Sequence, residues 1–201
     1  MSEIMADEFE DSAESGRGSL RKNLTWLIGI LAGIAGIVAT VIALWPDPPF
    51  TIEDWAERAE AICDDTSGEM AETAREANDA WTYTLTASQN GTATAADFVA
   101  TGNLYYKMAG AQVKRAGDLS DIQKPDSEEE QVTEVIRDFR AANKLIYAAA
   151  DTLRNVNTQN PQETIDRFNA QSQSYNAEVN TVNSRLTTLG AGHCVPPVNA
   201  P

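Results

Sequence analysis

The sequence predicts an all-α protein, in which a single N-terminal transmembrane helix is followed by an extracytoplasmic up-down four-helix bundle. Three observations lead there. Residues 24–45 form an apolar run of 22 residues without a charge, four later stretches repeat apolar residues every three or four positions, and no stretch alternates in the manner of a strand. Composition narrows the chemistry. The 201 residues carry a formal net charge of −15, from 30 acidic against 15 basic side chains, and nucleic acid is excluded as a partner because phosphate neutralisation requires clustered Lys and Arg. One histidine, His193, and two cysteines, Cys63 and Cys194, supply neither a zinc ligand set nor a Ser-His-Asp constellation. The expectation is a noncatalytic protein without metal or cofactor.

Residues 1–23 read as a disordered acidic tail, with an acidic run from Asp7 to Glu14. The apolar run that follows would make a helix of about 33 Å at about 1.5 Å per residue, enough for a hydrocarbon core of about 30 Å. Trp26 and Trp45 bracket it as interface anchors. Arg17, Arg21 and Lys22 precede it while Asp47, Glu53 and Asp54 follow, so the positive-inside rule puts the tail in the cytosol and the rest outside. The competing reading is a signal peptide cut after Ala43, with Val41 and Ala43 as the small residues. Its apolar core would be longer than such peptides carry, and an uncleaved signal anchor fits better. Gly29 and Gly33 form a GxxxG pair extended by Gly36, a spacing that lets the helix pack on a second copy or on another membrane protein. Gly and Ala are also common in membrane helices that pack on nothing. The bilayer is thus the first expected partner.

Residues 46–50 are a Pro-rich linker, and the bundle is expected over 51–196, with a short tail at 197–201. Thr51 with Asp54 has capping-box form and opens a first helix. Its stripe is Trp55, Ala59, Ile62, Thr66, Met70, Ala74, Ala77, Trp81 and Leu85; it is expected to bend at Ser67-Gly68 and end at Asn90-Gly91. Thr94 with Asp97 opens a second helix with the stripe Phe98, Thr101, Tyr105, Met108, Gln112 and Ala116, which Gly117 should stop. Ser127 with Glu130 should start a third over residues 126–155, with Val132, Val135, Ile136, Phe139, Ala142, Ile146, Ala149 and Leu153 facing inward.

Asn160-Pro161 starts the fourth helix, with proline where its missing N–H costs nothing. Ile165, Phe168, Ser172, Tyr175, Val179, Val182, Leu186 and Leu189 alternate spacings of three and four, the pattern of a bundle seam. Between them lie Asn169, Gln171, Gln173, Asn176, Asn180, Asn183 and Thr187, an uncharged face that reads either as solvated surface or as a face for a polar partner or glycan. In an up-down bundle the start of the first helix and the end of the fourth share one end. Cys63 and Cys194 occupy those two places, and outside the cytosol such a pair reads as a disulfide.

The context of Cys63, Ala59 to Asp65, and the ending Leu189 to Cys194 (LGAGHC), in an Ala-, Thr- and Asp-rich domain behind a membrane anchor, resemble uncharacterised actinobacterial membrane-anchored and lipoprotein-type extracytoplasmic helical domains. This chain departs from the lipoprotein members in having an apolar span in place of a lipidated cysteine. The resemblance implies a cell-envelope protein and transfers no catalytic residue. The expected function is protein–protein interaction through the bundle, the membrane helix or both; the alternative is an extracytoplasmic ligand-binding sensor or an accessory subunit of a membrane complex.

Overall fold

The computed structural model describes residues 49–194. The span at 24–45, with Trp26, Gly29, Gly33, Gly36 and Trp45, lies outside the described residues, as do both tails. Among the described residues there are four α-helices and no strand, and no helix is long and apolar enough to cross a membrane. The helices are α1 (Ile52–Gln89), α2 (Ala95–Ser120), α3 (Glu129–Arg154) and α4 (Pro161–Thr188), and a 3₁₀ turn follows at Gly192–Cys194.

Helix starts follow local chemistry where a hydroxyl is in place. Thr51 and Thr94 each accept the backbone N–H of the aspartate three residues on, and Asp54 and Asp97 return a carboxylate to the threonine N–H at 2.9 and 2.8 Å. α1 runs unbroken through Ser67-Gly68. It ends at Asn90, where Gly91 adopts the left-handed conformation at φ 69°.

Two expected boundaries moved. Gly117 does not stop α2, which continues to Ser120, because Leu119 just beyond the glycine is 2 % exposed. Burying a leucine is worth about 1.5–3 kcal/mol, more than the roughly 1 kcal/mol that glycine costs a helix interior. α3 starts at Glu129 rather than 126, since the Ser127 hydroxyl turns to the Glu128 carboxylate and caps nothing. Asn160 likewise makes no side-chain cap; Asn157 instead accepts the N–H groups of Gln159 and Asn160.

Cross-helix pairs give the topology. Thr84 meets Thr101 while Thr66 meets Arg115, so α1 and α2 run antiparallel. Ser120 meets Arg140, and Gly102 sits against Arg154; Thr152 meets Gln171, and Glu134 meets Arg185. α2, α3 and α4 therefore alternate in direction as well. The seams of α2, α3 and α4 are buried along their whole length. On α1 the flank residues Ile62, Thr66 and Leu85 are only half-buried.

The backbones of α1 and α4 stay further apart than those of the other neighbouring pairs. Large side chains fill the gap: the ring centroids of Trp81 and Phe168 are 4.3 Å apart, with Tyr105 a further 5.0 Å from Phe168. At the Pro49 end the 3₁₀ turn packs on both α1 and α4 and closes their seam.

Candidate functional surfaces

Cys63 lies in the fourth turn of α1 and Cys194 ends the 3₁₀ turn, and the two are joined in a disulfide with Cα atoms 5.0 Å apart. Both are fully buried, among Trp55, Ala59, Leu189 and Ala191. Gly190 reverses the chain out of α4 at φ 83°, and its N–H donates to the Thr187 carbonyl. The bridge therefore fixes a segment that leaves α4 through a left-handed glycine. His193 is exposed at this end, with Nδ1 3.7 Å from the Asp64 carboxylate.

The core is divided along its length. One apolar cluster surrounds the disulfide and a second surrounds Trp81 and Phe168, and polar side chains lie between them. There the Gln112 amide donates to the Tyr175 hydroxyl at 2.7 Å. Arg115, 2 % exposed, donates to the Thr66 hydroxyl at 2.7 and 2.9 Å and to the Cys63 carbonyl at 3.2 Å. No carboxylate pairs with it among the described residues, and burial pulls its guanidinium below its ordinary pKa. Burial pushes the phenols of Tyr105 and Tyr175 well above theirs. Asn143 on α3 is 2 % exposed, and its side-chain amide has no hydrogen-bond partner among the described residues.

Among the described residues, two clefts stand out. One of about 380 Å³ lies between the end of α3 and the start of α4, lined by Asp151, Thr152, Asn155, Asn157, Glu163 and Arg167. Its arginine is already paired with Glu163 at 3.5 Å. The other, of about 620 Å³, runs along the first turns of α1 beside Leu189 and Gly190, with Glu53, Glu57, Glu60 and Asp64 on its rim. Neither brings a nucleophile and a base together. Among the described residues no three His, Cys, Asp or Glu side chains converge on a point where a metal ion could sit. The acidic pairs at Asp64-Asp65 and Glu129-Glu130 face solvent.

The uncharged stretch of α4 resolves into three strips. Gln171 faces α3 and accepts from Thr152 at 2.8 Å. Asn169, Asn176 and Asn183, seven residues apart, are half-buried on the flank of the seam opposite Gln171. Gln173, Asn180 and Thr187 are exposed.

Some residues matter more than their sequence context suggests. A Cβ on Gly102 would come within 2.8 Å of the Ala150 carbonyl oxygen and 2.7 Å of Arg154 Cγ, so this glycine sets how closely α2 approaches α3. Tyr106 on α2, 44 % exposed, contacts Tyr147 edge-on at 4.7 Å, and the Arg154 guanidinium lies over its ring at 4.9 Å.

Fold and surface together define an all-α, disulfide-closed helical bundle. No protein-family model, curated protein or solved structure matches the chain.

Proposed function

We propose that the protein is a noncatalytic, single-pass membrane protein of the cell envelope, which holds its helical bundle outside the cytosol to engage a protein partner. The observation that carries this reading is the conjunction of a buried disulfide with a 22-residue apolar run and basic residues on its N-terminal side. A structural disulfide belongs in an oxidising compartment, and the charge asymmetry sends the cysteine-bearing side there. The resemblance to envelope domains points the same way. The bundle offers extended helix faces, a form in which helical domains present themselves to other proteins.

Two measurements test this. Protease added to intact spheroplasts should digest residues 50–201 and spare the N-terminal tail; protection of 50–201 with loss of the tail overturns the orientation, and a mature chain beginning at Leu44 overturns the anchor. Crosslinking in intact cells followed by mass spectrometry should recover a stable protein partner. The acid-rimmed cleft on α1 favours the alternative, a ligand-binding sensor or accessory subunit. Stabilisation of the purified chain by a small molecule from a cationic ligand panel would select it.

A further inference from the structure

In a chain of net charge −15, acid is missing from one face. α2 has no Asp or Glu between Asp97 and Asp118, and α3 has none between Asp138 and Asp151, yet Lys107, Lys114, Arg140 and Lys144 all fall in those stretches and are exposed. Lys107 is paired with Glu76 of α1 and Arg140 reaches the Ser120 hydroxyl, while Lys114 and Lys144 make no ion pair among the described residues. The same face carries exposed apolar surface. Among the described residues Tyr83, Tyr106 and Val113 are the large apolar side chains that stand most exposed, and Tyr106 and Val113 lie two turns apart on one flank of α2.

These features meet at Gly110. It stands one turn after Tyr106 and one turn before Val113 and is half-buried, and a Cβ placed there would meet, beyond its own turn of helix, only the Tyr147 hydroxyl at 3.8 Å. The missing side chain leaves an indentation between Tyr106, Val113 and Tyr147. Tyr106 is held at its edge by two contacts, with Tyr147 edge-on and the Arg154 guanidinium over its ring. α2 and α3 are antiparallel and Gly110 lies beside Tyr147, so Lys114 and Lys144 stand at one height on the two helices, one turn from the indentation.

We propose, resting on the partner-binding reading above, that this face docks an acidic segment of a partner protein, with an apolar side chain seated over Gly110 and carboxylates meeting Lys114, Arg140 and Lys144. Charge complementarity argues for that occupant. An acidic segment is repelled along α1, where exposed acids run from Glu53 to Asp79, and attracted only where α2 and α3 expose cations without acid, which fixes the place of docking. The apolar centre argues for a protein over other polyanions. A phosphate or sulfate chain has nothing to cover Tyr106 and Val113, whereas an apolar side chain flanked by carboxylates matches both the centre and the rim. Because Tyr106 already rests against Tyr147 and Arg154, docking has little side-chain order left to impose on it.

The test uses the purified full chain and a fluorescein-labelled peptide in which leucine recurs every three or four residues and glutamate fills the other positions, with binding read by fluorescence anisotropy. A peptide with glutamine in place of glutamate, and polyglutamate without leucine, should each bind about tenfold more weakly or worse. A Lys114→Glu, Lys144→Glu double variant should lose about tenfold in affinity or more with its thermal melt unchanged, since both lysines are exposed, whereas Arg75→Glu, exposed on α1, should stay within about twofold of wild type. Gly110→Gln should weaken binding about fivefold or more while melting no lower than wild type, because its Cβ has room and glutamine favours helix over glycine. No binding of the leucine–glutamate peptide, equal binding of either control peptide, unchanged binding by the double variant or by Gly110→Gln, or an equal loss in Arg75→Glu each overturns the proposal. Crosslinking in intact cells separates its failure from that of the partner reading. A partner that the double variant still captures overturns this docking site and leaves that reading standing, while peptide binding as expected with no partner recovered defeats that reading and leaves the site.

Discussion

Replacing Cys63 and Cys194 with alanine tests how the bundle holds its C-terminal segment. Alanine is the cleaner choice, because both positions are fully buried and serine would put a new polar group into each. The bridge joins residues 131 apart in sequence. Closing a loop of that length removes unfolded-chain entropy worth about 5 kcal/mol at 25 °C in the loop-closure treatment. Unfolding residues 49–194, at about 2.1 cal/mol/K per residue, carries an entropy near 0.3 kcal/mol/K, so the melting temperature should fall by about 16 °C. Helix content at 10 °C should be nearly unchanged, because the bridge adds no backbone hydrogen bond to any helix. The assay is a thermal melt followed by circular dichroism at 222 nm, with and without reductant. Reductant should bring the wild-type melt down to that of the variant and leave the variant unmoved. A fall of less than about 4 °C would refute the loop-closure reasoning, and a large loss of ellipticity at 10 °C would show that the bridge builds helix rather than restraining the unfolded chain.

Glycines in the middle of helices should answer oppositely. Gly102→Ala should destabilise by about 1–3 kcal/mol because its methyl meets the Ala150 carbonyl, while Gly68→Ala, whose methyl meets nothing within 4 Å, should stabilise by about 0.5–1 kcal/mol. Denaturant titration of both variants checks the pair, and a shift of the same sign in both would contradict the close α2–α3 approach. The capping aspartates predict a pH dependence. Hydrogen bonds from the Thr51 and Thr94 backbone, then from their hydroxyls, hold Asp54 and Asp97 below the usual carboxylate value in the folded chain. Their stabilisation is present above the unfolded value of about 3.8 and is lost as pH falls through the lower folded value. An Asp54→Asn, Asp97→Asn double variant should therefore melt below wild type at pH 7 and together with it near pH 2; a difference that persists at pH 2 would assign the effect to something other than the ionised caps.

Helix number, inward faces and two N-termini were determined by the sequence alone, since each depends on spacing within one segment. An apolar residue every three or four positions must face one way whatever lies opposite, and Thr51 and Thr94 cap through atoms only three residues away. The limits of such reasoning show at Gly117 and Ser127. The glycine is a local stop signal, but Leu119 is buried by contacts with other helices and carries α2 past it. Ser127 has the right spacing from Glu130 for a cap, yet the connection after Ile122 delivers the backbone to α3 in a turn in which the hydroxyl reaches Glu128 instead.

What depends on levels between helices was decided by the tertiary structure. Gly102 becomes indispensable only because α3 places Ala150 and Arg154 beside it, and Arg115 is buried only because α1 offers Thr66 and the Cys63 carbonyl at its height. The pairing of the cysteines followed from topology, but the packing of the 3₁₀ turn on both α1 and α4 did not, because it depends on the path the chain takes after the left-handed Gly190. The sequence marks α4 as uncharged between its seam residues. Only packing separates the half-buried asparagines at 169, 176 and 183 from the exposed Gln173, Asn180 and Thr187, since burial on a helix flank is settled by how near the neighbouring helix comes.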